Sequence, residues 1–224
     1  MRGRIWEIDS MRGLAIVLMI AFHLVYNLSE FYGFPIDYRS GFWLVVARVA
    51  VLLFMVTAGV SSTFSRSNLR RGRSVFLYGL AVTAATWVFD PTAYVRFGIL
   101  HFMGLGMMLY HFFRKLPTNF LVILGAGLLI LGPIVTGSLV ESPYLFPLGL
   151  VPAGFVSTDY YPLIPWYGFF LWGAAIGKHY YPEAKSLLNN SPKHRLLPFL
   201  GRHSLYIYLA HQPLLLVGLG LIFS

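Results

Sequence analysis

The chain has 224 residues, of which 57% are hydrophobic and only 11% charged, with 17 Lys and Arg against 8 Asp and Glu. A soluble domain carries about 25% charged residues, so this composition excludes a soluble enzyme, a disordered chain and a small secreted scaffold. The mean hydropathy of +0.68 points to an integral membrane protein, and the absence of cysteine removes disulfides, thiolate metal sites and cysteine nucleophiles.

A helix needs about 20 mostly apolar residues to cross a bilayer. Such runs fall at 11–29, 42–64, 74–90, 96–113, 119–137, 163–180 and 203–223. They predict an all-α integral membrane protein with seven transmembrane helices. The first run lacks a small-residue cleavage site and reads as a retained anchor. The stretch 143–157 is apolar but broken by Pro143, Pro147 and Pro152, which predicts a short interfacial or re-entrant segment with sheltered or wetted backbone. Residues 182–202 read as a polar, basic loop. With the N-terminus cytoplasmic and the C-terminus outside, every Lys and Arg except Arg39, Arg48 and Arg96 falls on the inner side. Glu30, Asp37, Asp90, Glu141 and Asp159 then fall outside. This is the bias expected of membrane topology, and it explains the positive charge without nucleic acid. Residues 1–224 read as one transmembrane domain.

Ionisable residues within spans are costly and raise functional hypotheses. Arg12 and His23 lie 11 residues apart on the first span, which leaves them about 20° apart around the helix and about 16 Å apart along it. Asp9 lies one turn before Arg12 and can pair with it. His101 falls about one and a half turns into the fourth span, and His211 near the middle of the seventh. Each alone is more often a packing histidine than a catalyst. On the inner side, Arg66, Arg70, Arg71 and Arg73 cluster, and Arg202 with His203 opens the last span. Topology accounts for most of this charge, while guanidiniums also suit a phosphate-bearing ligand. The outer stretch Asp159-Tyr160-Tyr161-Pro162-Leu163-Ile164-Pro165-Trp166 joins a carboxylate to aromatics. Tyr161 and Trp166 fit the headgroup level, and with Asp159 they also fit a sugar-binding mouth. Gly173 and Gly177 on the sixth span predict close helix packing.

Three other functions use the same residues. A transporter or channel would line its pathway with the intramembrane polar groups. A haem protein would ligate iron through facing histidines. A structural scaffold would give Arg12 and His23 no reason to share a face.

Four blocks in order carry a family resemblance. Glu7-Ile8-Asp9-Ser10-Met11-Arg12-Gly13-Leu14-Ala15-Ile16 with Phe22-His23 resembles the first helix of membrane acyltransferases, where Arg, ten residues and His form the signature of the acyltransferase family 3 membrane domain. Phe97-Gly98-Ile99-Leu100-His101-Phe102, the Asp159–Trp166 stretch and Gly201-Arg202-His203-Ser204-Leu205-Tyr206-Ile207-Tyr208-Leu209-Ala210-His211-Gln212-Pro213 resemble small prokaryotic relatives of the heparan-alpha-glucosaminide N-acetyltransferase catalytic domain. The resemblance covers about residues 4–215. It implies transfer of an acetyl or other short acyl group from cytosolic acetyl-CoA to an amine or hydroxyl of a glycan or amino sugar outside, without a metal. It implies a catalytic His23 with His101 and His211 in matching blocks, and a donor held by Arg12. The phosphates would rest on Arg70, Arg71, Arg73, Arg202 and His203, and the acceptor on Asp159, Tyr161 and Trp166. His23 would act as general base or as acyl carrier, and His101, His211 or Tyr208 would stabilise the oxyanion. The implied setting is a prokaryotic plasma membrane, with a homodimer left open.

Overall fold

A chain with so little charge must close its backbone hydrogen bonds within its own elements. In the computed structural model, which describes residues 5–188 and 195–223, it does so with helices. They are α1 (Trp6–Tyr32), α2 (Gly41–Thr63), α3 (Asn68–Phe89), α4 (Ile99–Phe113), α5 (Thr118–Thr136), α6 (Leu163–Tyr180), α7 (Leu196–Arg202) and α8 (Ser204–Phe223), with one 3-10 turn at Phe146–Leu148. Among the described residues there is no strand, only the isolated bridges Phe97–Tyr160 and Leu139–Val151. Arg2, Arg4 and Lys193, counted on the inner side above, lie outside the described residues.

Four helices, α1, α2, α5 and α8, are long and apolar enough to cross a membrane. The apolar α4 is shorter, at 15 residues. Large apolar side chains such as Leu77, Val88, Ile123, Ile130, Leu214 and Leu221 point outward, the arrangement a lipid solvent favours and water does not. The protein is a membrane protein.

Three boundaries differ from the sequence expectation, each for a local reason. Helix α1 starts at Trp6, earlier than residue 11, because Ile5 and Ile8 are buried and Glu7 finds partners. The Glu7 carboxylate accepts the Leu187 N–H and the Ser186 hydroxyl, each at 2.7 Å. The basic loop contains α7, because Leu196, Leu197, Phe199 and Leu200 give it an apolar side and glycine lets it lie on α1. A Cβ at Gly13 would stand 2.1 Å from the Leu197 carbonyl oxygen, and one at Gly201 would stand 1.7 Å from that of Asp9. Helix α4 begins at Ile99 rather than 96, since Phe97 is tied to the segment before α6 by the Tyr161 N–H at 2.9 Å. His101 therefore sits in the first turn of α4. The Pro-broken stretch 143–157 forms only the 3-10 turn, which ends on Gly149 at φ 110°, a conformation that favours glycine.

The chain divides into two compact units. The first comprises residues 1–54 and 183–224, and α1 packs there against α7 and α8. The second comprises residues 55–182 and contains the α3–α4 and α5–α6 pairs. Helix α2 runs from one into the other. Within the second unit, Gly72 and Gly104 bring α3 and α4 together. The predicted close packing at Gly173 and Gly177 is also present there. A Cβ at Gly173 would lie 2.2 Å from the Val56 carbonyl oxygen, and one at Gly177 would lie 2.9 Å from that of Val60. Small residues let membrane helices pack backbone to backbone in this way.

Candidate functional site

The first unit assembles its polar groups along the α1–α8 and α1–α7 contacts. His23 and His211 meet with ring centroids 4.8 Å apart and planes at 66°. His23 Nδ1 lies 2.9 Å from the Met19 carbonyl oxygen, and His211 Nδ1 contacts that of Tyr208. A carbonyl only accepts, so both Nδ1 atoms carry the hydrogen and both Nε2 atoms carry a lone pair. His211 is 8% exposed, and its buried Nε2 has no hydrogen-bond partner. Phe22 stands edge-on to His23 at 5.6 Å and Tyr26 at 6.4 Å, and Tyr38 contacts both aromatics.

One turn beyond the imidazoles lies an amide pair. Gln212 Nε2 donates to Asn27 Oδ1 at 2.7 Å, and Asn27 is 0% exposed. A buried amide in lipid needs such a partner, and this one fixes the register of α1 against α8. Arg48 lies on the α2 segment of this unit and has interactions of its own.

Eleven residues before His23 on the unbroken α1, Arg12 Nη1 donates to Asp9 Oδ1 at 3.1 Å. Arg202, at the end of α7, brings Nε to 3.6 Å from Asp9 Oδ2. One carboxylate thus orients two guanidiniums, with the Arg12 side chain 20% and the Arg202 side chain 44% exposed. His203 stands at the break between α7 and α8. Its Nδ1 donates to the Phe199 carbonyl at 2.9 Å, and its ring lies 4.5 Å from that of Phe199.

The second unit holds the remaining residues. His101 is 2% exposed, with Nε2 3.2 Å from Thr83 Oγ1. The Thr83 hydroxyl donates its one hydrogen to the Val95 carbonyl at 2.7 Å, so the ring donates to Thr83 through Nε2. Its Nδ1 is buried without a hydrogen-bond partner. A Cβ at Gly79 would stand only 3.1 Å from that atom, so this face of the ring is closed by backbone. Asp159 Oδ2 accepts the Ile99 N–H at 3.0 Å and so caps α4. A Cβ on Gly98 would come within 2.3 Å of that oxygen. Loss of water pushes the Asp159 pKa up to about 6, with the Ile99 N–H pulling the other way. Tyr161 and Trp166 pack edge-on at 5.3 Å. Arg66, Arg70, Arg71 and Arg73 are exposed at the start of α3, which Ser67 caps through the Arg70 N–H. Lys178 spans the end of α4, donating to the carbonyls of Arg114 and Leu116 at 3.1 and 2.5 Å.

The structure therefore joins His23 to His211, and Arg12 to Asp9 and Arg202, within one unit. His101, Asp159, Tyr161, Trp166 and the α3 arginines belong to the other. The sequence expectation overlooked Asn27, Thr83, Tyr26 and Tyr38. An Asn four residues after a membrane histidine was the available signal for Asn27.

No curated protein and no solved structure matches the chain. The family described as "Heparan-alpha-glucosaminide N-acetyltransferase, catalytic" matches residues 4–213. The match takes in α1 with His23 and reaches past His211 and Gln212 on α8, and the chain belongs to this family.

Proposed function

We propose that the whole chain, 1–224, acts as one acyltransferase domain that moves an acetyl or short acyl group from cytosolic acetyl-CoA to an amine or hydroxyl on a glycan or amino sugar outside. Family membership supports a membrane acetyltransferase. The distribution of Lys and Arg supports seven spans with the N-terminus cytoplasmic and the C-terminus outside, and the resemblance to small prokaryotic relatives favours a prokaryotic plasma membrane.

The observation that carries the reading is the imidazole pair, with both Nδ1 hydrogens given to helix carbonyls. A carbonyl acceptor fixes the tautomer and raises the basicity of the far nitrogen. His23 Nε2 takes a proton from the acceptor as its nitrogen or oxygen attacks the thioester carbonyl. The new C–N or C–O bond forms, the C–S bond breaks, and CoA leaves as a thiolate that the imidazolium protonates. In a variant of this route the acetyl group passes first to His23 Nε2. Where the nucleophile is an amine, its second N–H stays on the nitrogen and donates a hydrogen bond to His211. Its Nδ1–H is committed to Tyr208, so the oxyanion falls to another donor.

Arg12 and Arg202 hold the donor end. The rise from Arg12 to His23 along α1 is about 16 Å, the scale of an extended pantetheine arm. Asp9 keeps both guanidiniums in place, and His203 borders Arg202. The exposed Arg70, Arg71 and Arg73 also suit phosphate, and replacing them is a separate test. Tyr161 and Trp166 offer an aromatic surface for the acceptor.

The test is His23→Ala, assayed by acetyl transfer and CoA release with an amino-sugar acceptor. Transfer should fall by about 10²–10⁴-fold, while acetyl-CoA still raises the melting temperature. Full turnover by the variant would remove His23 from the chemistry. Arg12→Gln should raise the KM for the donor with little change in kcat, and an unchanged KM would remove Arg12 from the donor site.

A further inference from the structure

Helix α1 carries a third ionisable group on the stripe that holds Arg12 and His23. Glu30 lies 18 residues beyond Arg12 and seven beyond His23. It is therefore in line with Arg12, about 20° from His23, and about 10 Å from the histidine along the axis. The chain folds back over this end of α1. Gly33 takes φ 70° and closes its N–H on the Leu28 carbonyl, a left-handed helix end that favours glycine. The Ser29 hydroxyl then donates to the Ile36 carbonyl at 3.1 Å. Tyr38 is thereby brought against α1, where its ring meets Tyr26 at 5.2 Å and Phe22 at 6.1 Å. Both of those rings also meet His23, so the four rings close a circuit with the histidine in it.

The charged groups stand at the rim of this circuit. Glu30 Oε1 accepts the Tyr38 hydroxyl and, at 2.9 Å, Arg39 Nη2. Arg39 Nε donates to the Tyr38 oxygen at 2.9 Å. Glu30 Oε2 and Arg39 Nη1 make no hydrogen bond among the described residues, and the two side chains are 37% and 74% exposed. A carboxylate oxygen beside a guanidinium N–H accepts from one hydroxyl and donates to its neighbour, while Tyr26 and Tyr38 supply ring surface for a C–H face. Asp37 accepts the Arg39 and Ser40 N–H groups of its own turn at 2.9 and 3.1 Å. Glu30 and Asp37 against Arg39 leave residues 29–40 with one negative charge. Such a surface repels a sulfated or carboxylated sugar and admits a neutral or cationic one.

We propose that Glu30 and Arg39, oriented by Tyr38, form the acceptor subsite, which holds the hydroxyls of an amino sugar without acidic substituents while its amine reaches His23. The proposal rests on the acyltransferase reading and names the contacts of its acceptor within the unit that holds His23. One stripe of α1 then serves donor, base and acceptor in that order.

The experiment uses the full chain in nanodiscs with glucosamine and glucosamine 6-sulfate. Glu30→Gln and Arg39→Gln should each raise the glucosamine KM about tenfold, the lower end of what a hydrogen bond to a charged group contributes, with kcat within about threefold and the acetyl-CoA KM unchanged. Wild type should favour glucosamine over its sulfate about tenfold in kcat/KM, and Glu30→Gln should narrow that gap. An unchanged glucosamine KM, or a loss confined to the melting temperature, would mean that the ion pair only fastens the link to α1, and the proposal falls. Equal use of the two sugars would also overturn it. A second measurement needs no variant. Glucosamine should protect Arg39 of the wild-type protein from phenylglyoxal, read by peptide mass. If no sugar is acetylated while Arg39 is still protected, the acyltransferase reading fails and the sugar site stands. If transfer proceeds while Arg39 reacts unhindered, the reading stands and the site falls.

Discussion

The two units treat buried histidine in opposite ways. In the first, His23 and His211 spend their Nδ1 hydrogens on carbonyls of their own helices and keep Nε2 lone pairs on two rings that meet. In the second, His101 spends its Nε2 hydrogen on Thr83, and its other nitrogen faces the backbone at Gly79. All three rings sit in apolar surroundings. His101 Nδ1 and His211 Nε2 are both buried without a hydrogen-bond partner, and what separates them is the nitrogen left over and the second imidazole that only His211 has beside it. A base needs an approach path for its proton donor, and His101 has a helix there instead. It links α3 to α4 through Thr83 and the Val95 carbonyl, as polar side chains commonly do between membrane helices.

The sharpest way to break this contrast is a double-mutant cycle on the pair. Each of His23→Ala and His211→Ala should lower kcat, with His23 the more damaging, and the double variant should be little worse than His23→Ala alone. Residues that act as one unit behave this way. If the two losses multiply, the histidines work independently and the pair has no joint role. Smaller and of another kind is the effect expected at His101. His101→Gln should lower the melting temperature by about 2–4 °C, the response to roughly 1 kcal/mol in a chain of this size, and leave kcat within about threefold. Thr83→Val should do the same. A large fall in kcat with an unchanged melting temperature would make His101 a catalytic group and dissolve the distinction between the units.

The part of this arrangement legible in the sequence is the part that one helix carries alone. Charge is rare inside spans, so Arg12 and His23 stand out, and helical period puts them on one stripe. The unbroken α1 preserves that relation. The Gly173–Gly177 spacing was legible for the same reason. Pairings between distant segments were not. Asn27 and Gln212 are 185 residues apart, and neither amide announces its partner. Helix α7 was hidden because Pro198 and the flanking basic residues resemble a loop, while its place on α1 depends on Gly13 of α1 and Gly201 of α7, which let the two backbones touch. The α4 start was hidden because its cap, Asp159, arrives from 60 residues downstream. His101 looked equivalent to His211 because no local pattern reveals Gly79 against its ring.

An effect on stability alone, and visible only as pH changes, lies at that cap, outside the helices. Asp159 holds the Ile99 N–H while its own pKa is raised to about 6 by loss of water, against about 3.9 in an unfolded chain. The folded state therefore favours the protonated acid. As pH rises through the unfolded value the unfolded chain releases its proton first, so stability falls between about pH 4 and pH 6 and is level above that range. Asp159→Asn keeps an oxygen for the Ile99 N–H and has no proton to release. The melting temperature of the variant relative to wild type should rise by several degrees as the buffer moves from pH 4 to pH 6, then stay constant to pH 8. Melting curves of both proteins in the same detergent would show it. A difference that shrinks as pH rises would mean that the ionised carboxylate is the form the α4 amino end prefers. The favourable field of a helix N-terminus would then outweigh the loss of water at Asp159.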